Sequence, residues 1–465
     1  MKRRELFKNI AMMVGAAAGV TSYFQDDNNT PLEESTDLFN YASSLAYAQS
    51  KLSDDTKLTQ SWVKPQEFGA LGDGNHDDSV AIQAAIDILA DQNGGIVYFP
   101  VGTYLLSTSH STDSPIKNTS FITLKKNVSL IGENRYRVTL KRDISAATPN
   151  ALIWLNEGTG REINGIGIDG VQSNFNNILH GILSQLDIDG LTINNCYITR
   201  VGSYGIGLQG VKQLSLGRAK NVTIKNCHIK GTGGDGIDIK NIKQETGYNV
   251  LYNLDIQGWG GRSSLKNQAG LDIRGVGNHI SKVYFTSPNS YSGHAIRFRG
   301  SNYKTNNPGG QESILSNFWI DVSQQNIPGI RINQRGTIIN SGYILCSDNS
   351  AGLEIDDTTV DHSRISNVII NGSGNSPNAS FWCQGSNILL DNCISRNAYC
   401  GFKLANDHIT LQDCKALNYR NYGFYVKSNA THYEILGSEA SSNQGVPIVD
   451  KTNGQGIIKN LRGVN

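Results

Sequence analysis

A disulfide framework is absent from this 465-residue chain. Its seven cysteines are an odd number, and no Cys-x-x-Cys spacing is present to suggest zinc. The chain also lacks an excess of either charge. Forty-one Lys and Arg against 40 Asp and Glu leave +1, which argues against nucleic acid or an anionic membrane as a partner. The apolar run from Ile10 to Val20 is too short to cross a bilayer, so no membrane span is expected in the mature chain. Through most of the chain there is no helical period either, which excludes a bundle and an alternating α/β fold.

What is present is repetition. Gly234-Asp235-Gly236-Ile237-Asp238-Ile239-Lys240, Ala269-Gly270-Leu271-Asp272-Ile273-Arg274 and His294-Ala295-Ile296-Arg297-Phe298-Arg299 are near-copies of one phrase. Apolar residues two apart with charged residues between them describe a strand with one face buried and one in water. Weaker copies begin near His180, Tyr204, Gly329, Gly352, Gly401 and Gly423, with one double step between Gly352 and Gly401. A second phrase runs in step with the first and ends in Cys196, Cys227, Cys393 and Cys414. Short β-rich pieces at such a spacing, with Gly, Asn and Asp at the bends, predict stacked rungs that cannot bury their apolar faces alone. The expected fold is all-β, a right-handed parallel β-helix with an N-terminal capping α-helix. A solenoid also accommodates this length, because each rung needs only its neighbours. Fifty Gly suit a bend-rich coil, and the four in-phase cysteines read as small residues stacked inside it.

The chain divides into three parts. Residues 1–23, with Arg3-Arg4 before the apolar run, have the pattern of a twin-arginine export signal, so the protein is expected to be periplasmic, cell-surface or secreted. Ala46-Tyr47-Ala48 is of the small-x-small type but lies far downstream. Residues 24–61 read as a flexible polar linker, and 62–465 as the β-helix. Near its start, Phe68-Gly69-Ala70-Leu71-Gly72-Asp73-Gly74 is a tight turn, and Asp77-Asp78-Ser79 offers an N-cap. Val80, Ile82, Ala85, Ile86 and Leu89 then fall at helical spacing, ended by Gly94-Gly95. Asp73, Asp77 and Asp78 are assigned turn and cap duty rather than metal binding. Gly454-Gln455-Gly456-Ile457-Ile458 reads as a last rung.

This opening, with Ala81-Ile82-Gln83-Ala84-Ala85-Ile86 and Gly94-Gly95-Ile96-Val97-Tyr98-Phe99-Pro100-Val101-Gly102-Thr103-Tyr104, closely resembles the start of the pectate lyase superfamily of β-helix proteins. That group includes rhamnogalacturonase-like and polygalacturonase-like hydrolases, mannuronan epimerases and phage tailspike depolymerases. The resemblance implies the fold and a polysaccharide substrate, and leaves reaction type open. Tailspike relatives are trimers, so a monomer or a homotrimer is expected.

With Gly as the register mark, one outward ladder reads Leu183, Gly207, Asp238, Asp272, Arg297, Arg331, Glu354 and, past one unassigned coil, Lys403 and Tyr425. The next reads Gln185, Gln209, Lys240, Arg274, Arg299, Asn333, Asp356. Asp238 stacked on Asp272 sets like charges opposite each other, which destabilises a sheet and suggests a working site. Asp235, Asp238 and Asp272 are the candidate catalytic residues. Lys240, Arg274, His294, Arg297, Arg299 and Arg331 are candidates to bind an acidic sugar, Arg by a two-pronged contact. Trp259, with Tyr291 and Tyr303, is expected in loops over the patch. Asp235 and Asp238, three apart across a bend, are expected at the 6.5–9.5 Å separation of inverting glycosidases. Alternation alone would turn Asp235 inward, so this needs the bend before Gly236.

The resulting expectation is an inverting, Asp-based glycoside hydrolase acting on an acidic or deoxy-sugar polysaccharide. No cofactor is required for that reaction. A lyase performing β-elimination at a uronic acid is the alternative, with Ca²⁺ held by the three aspartates. A non-catalytic glycan-binding solenoid and a uronan epimerase follow. The Asp235-x-x-Asp238 pair resembles that of tailspike endorhamnosidases. The polygalacturonase pattern is incomplete, because Gly234 stands for its first Asp and His294 lies one coil late. The Asp-Pro-His of epimerases is missing.

Overall fold

The computed structural model describes residues 62–463, apart from 113–117, 173–174, 211–217, 241–246, 265–267, 276, 288–292, 300–312, 325, 348–349, 357–359 and 373–378. The export signal and linker assigned to 1–61 lie outside the described residues, as do Tyr291 and Tyr303. The described chain is a right-handed parallel β-helix. One wall is a 14-stranded sheet in which each strand pairs with the next along the coil. The hand is the one parallel crossovers adopt almost without exception.

Five strands of that wall position the candidate site. They are β1 (Ile206–Gln209), β2 (Ile237–Lys240), β3 (Ala269–Arg274), β4 (His294–Arg299) and β5 (Ile330–Asn333). Gly207 pairs with Asp238, Asp238 with Asp272, Asp272 with Arg297, and Arg297 with Arg331, as the sequence register predicts. The second ladder, Gln209, Lys240, Arg274, Arg299 and Asn333, is also in register. Between the charged positions, Ile237, Ile239, Leu271, Ile273, Ile296 and Phe298 are fully buried. Each such side chain contributes about 1.5–3 kcal/mol relative to exposure.

The phrase glycine has a steric cause. A Cβ on Gly205 would lie 2.6 Å from the Gly236 carbonyl oxygen, and one on Gly236 would lie 2.5 Å from that of Gly270. Successive rungs touch there backbone to side-chain position, and little but glycine fits. The unassigned coil is Ala379–Cys383, where Ser380 stands in the glycine's place and its Oγ accepts a hydrogen bond from Ser395 Oγ at 2.9 Å. Its Phe381 stacks in the core on Phe402, which stacks on Phe424, at 4.8 and 5.2 Å. Trp382 faces outward, with Lys403 Nζ 4.6 Å from its ring.

The remaining strands join in one 25-stranded sheet. Two short strands of an early coil, Thr223–Lys225 and His228–Thr232, both pair with the single longer strand Val250–Gln257 of the next. The bend between them is left-handed backbone: Asn195, Asn226, Asn253, Asn317, Asn367 and Asn392 have φ of 49–55°. Asparagine tolerates that conformation and also links rungs, as in Asn253 Nδ2 to Asn226 Oδ1 at 2.8 Å. Cys196, Cys227, Cys393 and Cys414, one position further on, are buried free thiols.

Helix α1 (Ser79–Asp91) covers the first rung with Ile82, Ala85, Ile86 and Leu89. The cap differs in detail from expectation. Asp78 occupies the N-cap position, but its carboxylate accepts the N–H groups of Leu71 and Gly72 and so pins the glycine-rich turn. Asp77 instead binds Ser79 and the backbone N–H groups of Ser107 and Thr108. Among the described residues, no helix is long and apolar enough to cross a membrane.

Candidate active site

Strand β2 delivers Asp238 and Lys240, β3 delivers Asp272 and Arg274, and β4 delivers His294, Arg297 and Arg299 to one side of the wall. Asp235 precedes β2 in a non-strand bend, and that bend turns its carboxyl outward. One oxygen each of Asp235, Asp238 and Asp272 lie within 4.8 Å of one another. The swing required of Asp235 is therefore present. The large Asp235–Asp238 separation is not: their near oxygens are closer than inversion needs, because the bend brings the first carboxyl back over the second.

The expected wet strip is also corrected. Asp238 and Asp272 are fully buried and Asp235 is 2% exposed. They point away from the core, but the long cationic side chains beside them form a roof. Lys240 Nζ pairs with Asp238 Oδ2, which also accepts from Gln209 Nε2 at 3.0 Å. Asp272 Oδ2 is bound by Arg297 Nη2 at 2.9 Å and Oδ1 by Arg299 Nε at 2.8 Å, and Arg299 Nη2 also reaches Oδ2. Asp235 Oδ1 accepts the Ala269 N–H at 2.6 Å. Arg331, one rung on, turns away to pair with Asp356.

The network is incompletely paired. Asp238 Oδ1, His294 Nδ1 and the Nε atoms of Arg274, Arg297 and Arg331 are buried with no hydrogen-bond partner. Each such atom costs about 1–3 kcal/mol. A sheet face merely neutralised by cross-strand pairs would not gather five of them on four neighbouring rungs.

Burial, reinforced by the neighbouring Asp238 charge, pushes the Asp235 carboxyl up to about 7; Lys240, the Ala269 N–H and Arg297 act against it. Burial alone would lower Lys240, but Asp238, Tyr204 and Asp235 outweigh it and hold the ammonium above its ordinary value. Burial, with Arg297 and Arg331 nearby, pushes His294 down to about 3, so its ring is neutral. Burial lowers Arg274 and Arg297 and raises Tyr204.

Three residues join this group that the sequence reading left outside the site. Gln209 donates to Asp238. Tyr204 lies under Lys240 Nζ at 5.0 Å, and His180 packs on Tyr204 at 4.9 Å and accepts its N–H. The signal was available: all three stand at ladder or pre-glycine positions one or two rungs before Asp238.

Trp259 does not belong to the site. It is fully buried, edge-on to Phe285 at 6.0 Å. The flanking Gly258 and Gly260 both have positive φ, and the ring lies inside the coil against Phe285 rather than out over it.

The three carboxylates are the obvious place for Ca²⁺, which takes 6–8 oxygens at 2.3–2.6 Å. Here Asp238 Oδ2 and both Asp272 oxygens already face ammonium or guanidinium groups. A divalent ion there would have to displace Lys240, Arg297 and Arg299.

A family profile described as rhamnogalacturonase A/epimerase, pectate lyase-like matches residues 62–307, more than half of the chain. The chain belongs to that family. These are polysaccharide-active β-helix proteins, and the matched span contains every strand that builds the site except β5. Mannuronan C5-epimerase AlgE1 of Azotobacter vinelandii is 34% identical over 103 residues, 22% of this chain but 7% of that protein. The chain thus spans a small fraction of that relative. The bacteriophage phi29 gene product 12, in its pre-mature form, superposes with TM-score 0.57 at 15% identity, covering 88% of this chain and 59% of that one. The surface adhesin PfbA of Streptococcus pneumoniae does so with TM-score 0.52 at 15% identity, over 83% and 91%. Both likenesses show the fold.

Proposed function

We propose that this protein is an exported glycoside hydrolase that cuts an acidic polysaccharide, with Asp235 and Asp238 as its reacting carboxyls. The observation that carries this is the convergence of three buried carboxylates beneath a cationic roof that leaves Asp238 Oδ1 unpaired. Glycoside hydrolysis needs one protonated carboxyl and one ionised carboxylate. Asp235, held protonated to about pH 7, supplies the proton to the leaving oxygen. Asp238, paired with Lys240, supplies the carboxylate. Their closeness favours retention, with Asp238 attacking the sugar, over the inverting course that the sequence spacing suggested.

Asp272 takes a different part. Both of its oxygens are held by arginines, so it positions Arg297 and Arg299. A uronate or other acidic group on the polymer competes with Asp272 for those guanidiniums and with Asp238 for Lys240. Its binding opens the roof and supplies the counter-charge in the same step. A neutral sugar offers no such exchange.

A lyase is the second reading, favoured by four cations at one point that would neutralise a uronate. Against it, burial keeps Tyr204 protonated and leaves His294 a weak base. The test is a panel of acidic and neutral polysaccharides, scored for new reducing ends and for the ultraviolet absorbance of an unsaturated uronate. Reducing ends without that absorbance support hydrolysis. Unsaturated products establish the lyase, and no product from any acidic polymer removes the enzymatic reading. The anomer released first, read by proton NMR, separates retention from inversion.

A further inference from the structure

A second cluster lies at a corner of the coil far along the chain from the aspartates. Successive rungs place Gly336, His362, Asn387, His408 and His432 at equivalent positions, as the pairings of Ile338 with Arg364, Asp361 with Ser386, Ile388 with Ile409 and Thr410 with Glu434 require. All five have φ between 52° and 65°. Glycine and asparagine take this left-handed backbone most readily, and a fold needing only the bend would be served by either. Three of the five carry histidine instead, two of them on adjacent rungs. The His408 and His432 rings are stacked, with centroids 5.0 Å apart and planes at 15°, and both are exposed. Asp407 Oδ2 lies 3.1 Å from His408 Nδ1. One ligand atom from each of Asp407, His408 and His432 falls within 4.8 Å of the others. The corner opens on a groove of about 980 Å³.

An earlier rung of the same corner supplies a contrast. Asp361 and His362 form the same acid–imidazole pair at 3.2 Å, but there Arg335 Nε sits 2.5 Å from the Asp361 carboxylate. The cation place is filled. Among the described residues no Lys or Arg pairs with Asp407, and the next rung brings a second imidazole in its stead.

We propose that Asp407, His408 and His432 form a surface site for a divalent first-row transition cation, of which Zn²⁺ is the natural probe. Two imidazoles and a carboxylate are the donor set such ions prefer. Two ligands on one zinc at about 2.1 Å each stand at most about 4.2 Å apart, so the cluster needs only a small contraction. Exposed side chains at a corner make that adjustment by rotating χ angles. The remaining coordination positions face the groove and take water or a carboxylate. Because its ligands come from two rungs, the ion clips the Asp407 bend to the His432 bend and stabilises the last coils.

The test uses the untagged full chain titrated calorimetrically with ZnCl₂. The variants are His408→Asn and His432→Asn, which keep the bend by borrowing the residue found at Asn387, and His362→Asn is the control. The expected result is one equivalent bound by the wild type, weakened roughly tenfold or more in each site variant and unchanged in the control. Zinc also raises the melting temperature of the wild type and of His362→Asn only. Equal binding by His408→Asn and His432→Asn, equal loss in the control, or no binding by the wild type overturns the proposal.

Discussion

Asp238 and Asp272 face each other across one rung step, both fully buried, and they share no cation among the described residues. Lys240, from the strand of the first, closes on Asp238; Arg297 and Arg299, from the strand after the second, close on Asp272. Two stacked carboxylates thus face three cations, so their repulsion is offset with positive charge in excess. Under the proposed function, a competing anion is what draws these cations off their carboxylates. Asp235 lies outside this exchange and has no cationic hydrogen-bond partner among the described residues, which leaves it as the carboxyl free to hold a proton.

Asp235→Asn separates catalysis from stability. The folded-state pKa of Asp235 is raised above its ordinary value of about 3.9, so the folded chain keeps a proton that the unfolded chain has lost. Its contribution is fully favourable below about pH 4 and is lost as pH rises through about 7. Asparagine can still accept the Ala269 N–H and carries no charge to bury. Activity should fall by about 10²–10⁴-fold. Denaturant melts should show a stability gain that grows between pH 4 and 7 and then levels off. A gain independent of pH contradicts the assignment.

Asp238→Asn should cost comparable activity and should also lower stability by about 1–3 kcal/mol, because Lys240 loses its carboxylate. The ladder alone predicts the reverse, relief of like-charge repulsion and unchanged or higher melting. Urea melts of the variant decide between the two.

The two arginines on Asp272 should be non-additive. Arg297→Gln or Arg299→Gln leaves Asp272 one guanidinium and costs little. The double variant buries an unpaired carboxylate and costs about 3–5 kcal/mol. Additive costs in a double-mutant cycle would mean that Asp272 finds another partner.

Trp259 provides a negative control for substrate contact. Trp259→Ala should lose about 3–5 kcal/mol from the cavity opened beside Phe285. Trp259→Phe, which keeps most of the volume, should leave KM for any cleaved oligosaccharide unchanged. A raised KM in Trp259→Phe at unaltered melting temperature would return this ring to the binding surface.

Much of the fold was legible because its cause is local and repeated. Alternation with period two, a glycine where the next rung's carbonyl approaches, and asparagine at the left-handed bend recur on coil after coil. The coil built on Ala379–Cys383 escaped because Ser380 fills the glycine's place without disturbing the backbone. Gln209 in a ladder, and Tyr204 and His180 at pre-glycine positions, were passed over for being uncharged, although their neighbours are the candidate acids. Trp259 was misplaced because glycines on both sides of an aromatic permit either direction, and only packing against Phe285 chooses one.

The order of side chains along the wall was determined by sequence alone, since a parallel coil with period-two burial admits one register that keeps every Ile, Leu and Phe inside. Tertiary structure decided what those side chains do to one another. Whether Asp235 turns out or in, which cation meets which carboxylate, and whether the acids see water depend on a bend and on side-chain reach between rungs about thirty residues apart in the chain. Desolvation beneath that cationic roof, which no pattern of residues expresses, is what sets the proton on Asp235.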